Sequence, residues 1–158
     1  MEYRQIRKED DAALAGIIRK NLEAHGLDIP GTAYFDETLD HLSAFYLADR
    51  TKRFYYIVTE NGKVLGGVGL AELDFFEDCA ELQKLYLTDA AKGKGIAYKL
   101  IGLLEDKARE LGYRSVYLET HHNLQAAIHI YGKCGYREIE KPKSVVHTTM
   151  DRFFLKQL

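Results

Sequence analysis

The stretch Ala80-Glu-Leu-Gln-Lys-Leu-Tyr-Leu-Thr-Asp-Ala-Ala-Lys-Gly-Lys-Gly-Ile-Ala-Tyr-Lys-Leu-Ile101 orders itself as a strand, a short loop, a glycine turn and the start of a helix. Ala80 to Leu87 predicts the strand. Ile96, Leu100, Leu103, Leu104, Ala108 and Leu111 recur at helical spacing and predict a long amphipathic helix, stopped by Gly112. Between them, Gly93, Gly95 and Ala97 leave the backbone open to close approach by a ligand. The first-turn N–H groups of a helix have no intrahelical partner, and its dipole favours an anion there. Lys92, Lys94 and Lys99 add positive charge at the same point. The segment therefore reads as a phosphate cradle, although an isolated Gly-x-Gly is also an ordinary turn before a helix. A dinucleotide fingerprint would need a glycine where Tyr98 stands, and no Gly-x-x-x-x-Gly-Lys-Ser/Thr run occurs.

Working outward, Ser115–Thr120 predicts a strand, and Leu124, Ala127, Ile128, Tyr131 and Cys134 mark one face of a further helix, ended by Gly135. Two strands are expected after it, at Tyr136–Glu140 and Thr148–Lys156. Upstream, Phe54–Thr59 and Val64–Leu70 flank Asn61-Gly62, a strong hairpin signal. A first strand is expected at residues 2–7. Asp10 and Asp11 look like caps of a first helix running to about His25, and a second helix is expected from Asp36 to Ala48. The order is β-α-α-β-β-β-α-β-α-β-β. Its central strand–helix–strand unit should pair in parallel, giving an α/β chain with a mixed sheet covered by helices.

The 158 residues suit one domain spanning 1–158, with 46% apolar and 29% charged residues, as expected of a soluble globular protein. Twenty-two Lys and Arg against 24 Asp and Glu give a net charge of −2, which argues against nucleic-acid or membrane-surface binding. No apolar run nears the roughly 20 residues of a bilayer span, and the polar start does not resemble a secretory signal. Cys79 and Cys134, without C-x-x-C spacing, point to a reduced, cytoplasmic protein rather than a disulfide framework or zinc site. His121-His122 is a weak metal signal, because adjacent strand residues point to opposite faces.

The run Lys92-Gly-Lys-Gly95-Ile-Ala97 resembles the Arg/Gln-x-x-Gly-x-Gly/Ala signature of the GCN5-related N-acetyltransferase (GNAT) family, with Lys for its first residue. Asn123-Leu-Gln-Ala-Ala-Ile-His-Ile-Tyr131-Gly-Lys-Cys-Gly135-Tyr136 is similar to that family's Asn…Ala-Ile…Tyr…Gly-Phe segment, with Tyr136 in place of Phe. The element order matches over essentially the whole chain. The resemblance implies a GNAT-like acyltransferase fold whose fourth strand carries a bulge and whose fourth and fifth strands splay. It implies acetyl-CoA as acyl donor, without a metal, and an amine acceptor.

By position, it implies that the backbone of Leu85, Tyr86 and Leu87 pairs with pantetheine. Backbone amides of Lys92, Gly93, Lys94, Gly95, Ile96 and Ala97 would hold the pyrophosphate, and Asn123 would reach the pantetheine arm. Glu81 is implied as general base and Tyr131 as the acid that protonates the departing thiolate. Glu119, His121 or a water chain are the alternatives for the base. An alkylamine is neutral in only about one molecule in 2,500 at pH 7, so a proton acceptor helps direct attack in a ternary complex. Cys79 and Cys134 lie outside the motifs and are poor nucleophile candidates. Residues 26–36 and 74–78 mix aromatic side chains with carboxylates, a combination suited to a cationic acceptor. A non-catalytic acyl-CoA sensor and a transferase of another acyl group stay open at this point. So does a homodimer, for which the strands offer several surfaces.

Overall fold

A computed structural model describes residues 1–146 and 148–158. The strands are β1 (Glu2–Gln5), β2 (Phe54–Glu60), β3 (Lys63–Glu72), β4 (Cys79–Leu87), β5 (Ser115–Thr120), β6 (Arg137–Ile139) and β7 (Arg152–Gln157). The α-helices are α1 (Asp11–Ala24), α2 (Leu42–Ala48), α3 (Ile96–Glu110) and α4 (Gln125–Lys133). The strands form one sheet in the order β1-β2-β3-β4-β5-β7-β6. Every pairing is antiparallel except β4 with β5, which lies on either side of the α3 crossover. Parallel neighbours need such a crossover, and a helix supplies it. Among the described residues no helix is long and apolar enough to cross a membrane.

Two apolar layers cover the sheet. Leu100, Ile101, Leu104 and Ala108 of α3, with Tyr131 of α4, pack on Val68, Leu70, Ala80, Leu82 and Val116. On the other face Leu14, Ile18 and Leu22 of α1 and Tyr46 of α2 pack on Tyr55 and Ile57. A small third cluster sets Phe75 and Phe76 against Cys79, Tyr117 and Phe153. The β2–β3 turn takes the left-handed conformation at both Asn61 (φ 52°) and Gly62 (φ 75°), as a tight right-twisting hairpin requires.

Two expected elements differ. The second helix does not begin at Asp36, whose backbone is extended; a 3₁₀ turn covers Leu39–His41 and α2 starts at Leu42. Asp11, expected as a cap of the first helix, instead caps α2. Its Oδ1 accepts from the Ser43 N–H at 2.9 Å and its Oδ2 from the Ser43 hydroxyl at 2.6 Å. The last strand begins at Arg152 rather than Thr148, because hydroxyls turn the chain before it. The Thr148 hydroxyl donates to Glu119 at 3.2 Å, and the Thr149 hydroxyl donates to the Pro30 carbonyl at 2.9 Å.

The α1/α2 layer lies close against β3 at Gly69. A Cβ built there would stand 2.6 Å from the Tyr46 Oη and 2.8 Å from a Tyr55 ring carbon. Both tyrosines are fully buried. Gly69→Ala should therefore cost about 1–3 kcal/mol of stability, as overpacked cores do, and a urea midpoint equal to that of the wild type would show that the rings can yield.

Candidate active site

β4 and β5 are joined at only three positions, Cys79–Ser115, Ala80–Val116 and Glu81–Tyr117. Beyond Glu81 the strands part, and the β5-facing backbone groups of β4 up to Leu87 have no strand partner. A β-bulge lies in the same stretch. The β3 register passes from Gly67–Tyr86 to Gly69–Gln83, so Lys84 and Leu85 oppose Val68 alone, and Lys84 is left-handed at φ 51°. The extra residue changes which face each side chain takes. Gln83 and Tyr86 lie toward α1 and α2, whereas Leu82, Leu85 and Leu87 lie toward α3.

Two side chains hold this opened strand from the α1/α2 side. The Tyr55 hydroxyl donates to the Lys84 carbonyl at 2.7 Å. Asn21 of α1 is buried, and its Nδ2 donates to the Leu87 carbonyl at 2.9 Å and to the Ile17 carbonyl at 2.8 Å. Asn21 was missed in the sequence, although a polar residue between Ile18 and Leu22 on an apolar helix face was the available signal.

A cavity of about 700 Å³ fills the gap and reaches both faces of the sheet. Its walls draw together Glu81, Leu85, Tyr86, Leu87, Lys92, Gly93, Gly95, Ile96, Ala97 and Tyr131. Lys94 is exposed and does not line it. Asn123 does not line it either: its Nδ2 donates to the His25 carbonyl at 2.9 Å, tying the β5–α4 turn to the end of α1.

At one end of the cavity, Gly95 caps α3 with φ 76°, and Gly93 has φ 75°. Open space lies over both glycines. Lys99 N–H is the first to bond back, to the Gly95 carbonyl at 3.2 Å, so the preceding first-turn N–H groups are free of intrahelical partners. With Lys92 beside them, these groups form an electropositive end with the chemistry of an anion site.

The other end is acidic. Glu81 and Glu119 both line it. Burial pushes the Glu81 carboxyl above the usual carboxylate range. The hydrogen bond from Gln83 opposes that, the nearby Glu119 adds to it, and Lys84 opposes it in turn. Gln83 Nε2 donates to Glu81 Oε1 at 2.7 Å, and Gln83 Oε1 accepts from the Tyr46 hydroxyl at 2.6 Å. Gln83 is a second residue missed in the sequence, although Glu81-x-Gln83 spacing puts both on one strand face.

Tyr131 is 5% exposed and reaches the cavity from α4. Among the described residues its hydroxyl has no hydrogen-bond partner in the protein. Burial pushes its acidity well below that of an ordinary tyrosine, so it holds its proton throughout the neutral range.

The two loops expected to meet an acceptor part company. Ala33 of the 26–36 loop lines the cavity, but no residue of 74–78 does. Phe75 and Phe76 are instead stacked on Tyr117 at 5.3 and 5.8 Å. The expectation for His121 and His122 also needs correction. β5 ends at Thr120, so strand alternation no longer separates them. Their rings lie 4.2 Å apart, and both approach Asp151. His121 Nδ1 accepts from the Asn123 N–H at 3.1 Å, which places the proton of the neutral ring on Nε2, the nitrogen facing Asp151. His121 does not line the cavity, whereas Glu119 does. Burial raises the thiol pKa of both cysteines, and neither lines the cavity.

Known proteins resemble this chain in sequence and in fold. Residues 21–136 match the Acetyltransferase (GNAT) family. The uncharacterized N-acetyltransferase YjgM of Escherichia coli K12 is 37% identical over 139 residues, covering 87% of this chain and 82% of that protein. A GNAT-family acetyltransferase from Staphylococcus aureus Mu50 superposes with a TM-score of 0.85 at 19% identity, over 99% of this chain and 98% of its own. Salmonella typhimurium yncA, a putative acetyltransferase solved with acetyl-CoA, superposes with a TM-score of 0.78 at 23% identity, over 99% and 93%. The likeness to the two solved structures concerns the fold, and the family match together with the E. coli relative identifies the chain: it belongs to the GNAT family of N-acetyltransferases and is an acyltransferase.

Proposed function

We propose that this protein transfers the acetyl group of acetyl-CoA to the nitrogen of a primary amine by direct attack in a ternary complex. The observation that carries this is the cavity between the parted strands, with a free helix N-terminus at one end and two carboxylates at the other. The residues present fit the donor. The amides from Lys92 to Ala97 suit its pyrophosphate, and the unpaired edge of β4 at Leu85–Leu87 suits the amides of its pantetheine arm, as an added strand would. The yncA structure, solved with acetyl-CoA, supports the same donor.

The thioester then lies where the strands diverge, with an acceptor approaching from the carboxylate end. The amine nitrogen forms a bond to the carbonyl carbon and passes a proton to the Glu81 carboxylate. As the C–S bond breaks, the sulfur takes the proton of the Tyr131 hydroxyl. Tyr131 recovers a proton from solvent, and Glu81 returns the one it took. A buried tyrosine is a suitable donor because it is never deprotonated in the resting state, and its hydroxyl faces the cavity rather than another protein group. Glu81 suits the opposite task, since burial raises its affinity for the proton it accepts. A backbone N–H near Leu87 would serve the thioester oxygen.

Thiol release from acetyl-CoA with an amine acceptor measures the reaction. Tyr131→Phe should lower kcat by about a hundredfold or more while acetyl-CoA still binds in calorimetry; a full-rate variant would remove Tyr131 from the mechanism. Tight binding of acetyl-CoA with no turnover on a broad amine panel would favour a sensor instead.

Glu81 gives a paired prediction with opposite signs. Its folded pKa is raised, so the stability it contributes is present below the unfolded pKa and is lost as pH rises through the folded one. Glu81→Gln should therefore unfold at a higher temperature than wild type at neutral pH, with the difference shrinking as pH falls into the ordinary carboxylate range. The same variant should turn over at least about a hundredfold more slowly. Wild-type kcat/KM should climb with pH through a value above the usual range for glutamate. A variant both less stable and slower would show that Glu81 is a packing residue.

A further inference from the structure

The acidic end of the cavity holds one carboxylate more than the proton transfer needs. We propose that Glu119 binds a second ammonium group of the acceptor, making short diamines the preferred substrates over monoamines and amino acids. This rests on the acetyl-transfer function proposed above and names the class of amine.

Glu119 is fixed in place without being neutralised. Its Oε2 accepts from the Tyr117 hydroxyl at 2.9 Å and its Oε1 from the Thr148 hydroxyl at 3.2 Å. No Lys, Arg or His among the described residues forms an ion pair with it. Asp10 meets Arg4, Glu72 meets Arg53 and Glu105 meets Lys156, whereas Glu119, like Asp11, is held by uncharged donors alone. Two hydroxyl donors hold Glu119 while leaving its full charge to attract a cation.

The surroundings of Glu119 suit the rest of such a molecule. Ala33 and Met150 give this end apolar surface for methylene groups. Lys84 is the lysine that lines this end, 4.0 Å from Asp36, and its single positive charge stands against two carboxylates. An amino-acid acceptor would bring its own carboxylate up to Glu81 and Glu119. A diamine brings positive charge to both.

The sheet sets the spacing. Glu81 pairs with Tyr117, and Glu119 stands two residues further along β5 on the same side as Tyr117. Diagonal neighbours are about 7–8 Å apart in a regular sheet and farther apart where strands diverge, a span that a diamine of about four carbons bridges when each nitrogen stands about 2.8 Å from its carboxylate. One nitrogen then delivers its proton to Glu81 while the other remains charged against Glu119.

The test compares 1,4-diaminobutane, butylamine and 4-aminobutanoate as acceptors, in the wild type and in Glu119→Gln, by thiol release, with acetyl-CoA affinity measured by calorimetry on both proteins. Glutamine preserves the shape, accepting from one of the two hydroxyls and donating to the other, and the calorimetry verifies a folded donor site. The wild type should favour the diamine over butylamine by at least about tenfold in kcat/KM, the scale of a hydrogen bond to a charged group. The preference should reside in KM and collapse to within about twofold in Glu119→Gln. Equal use of butylamine, preference for 4-aminobutanoate, or a diamine preference that survives Glu119→Gln would overturn the proposal. So would turnover of none of the three while acetyl-CoA still binds, and that result would leave acetyl transfer to another acceptor standing. Failure of the wild type to bind acetyl-CoA would instead overturn the transfer function itself.

Discussion

The ladder between β4 and β5 stops after three pairs, and the proposed chemistry depends on that early stop. A parallel pair in mid-sheet normally continues, because buried backbone N–H and C=O groups are costly to leave unmatched. Here β4 runs on to Leu87 with one edge open, and other groups must hold it straight. The bulge at Lys84 shifts the side-chain alternation, so that leucines face α3 while Gln83 and Tyr86 face α1 and α2. Tyr55 and Asn21 then bind the Lys84 and Leu87 carbonyls from the α1/α2 side. The strand is fastened on its far side and left vacant on the side where a donor amide can pair with it.

The gap also separates charge. Its electropositive end comes from backbone geometry: left-handed Gly93 and Gly95, and N–H groups at the start of α3 that no carbonyl has taken. Its acidic end comes from side chains on the two strands that bound the divergence. In the proposed reaction, a donor with an anionic tail and an acceptor with a cationic head would be drawn to opposite ends and meet in the middle. Low-dielectric walls of Leu82, Leu87, Ile96 and Tyr131 strengthen both attractions.

Much of this was legible in the chain because it is local. The Gly-x-Gly turn ahead of an apolar 3.6-residue repeat, and Asn61-Gly62 between two β-rich runs, each fix a backbone conformation within a few residues. Contacts between distant residues left little trace. Asp11 caps α2 across 32 residues and so moves the start of that helix. Thr148 and Thr149 spend their hydroxyls on Glu119 and Pro30, which delays β7. Asn123 fits a motif by position, yet its amide goes to His25. Phe75 and Phe76 read as an exposed aromatic loop until Tyr117 supplies their partner. The strand period was applied one residue too far at His121-His122, because a strand end is among the least certain boundaries in a sequence.

The path from packing to chemistry runs through Gly69. Without a side chain there, Tyr46 can settle flat against β3, and its hydroxyl comes within reach of Gln83. Gln83 has one acceptor and one donor end. Giving the acceptor end to Tyr46 leaves the amide N–H₂ for Glu81. That orientation favours a carboxylate able to accept, so the glutamine works against burial, which raises the carboxyl's affinity for a proton. A base needs both influences: too little burial leaves a weak proton acceptor, and too little hydrogen bonding leaves a carboxyl already protonated. The opposition is set by a tyrosine on α2 and a glycine on β3, neither of which touches the cavity. Replacing either should move the working pH of the proposed base as well as the stability of the fold, so in this protein core residues set the environment of the candidate site.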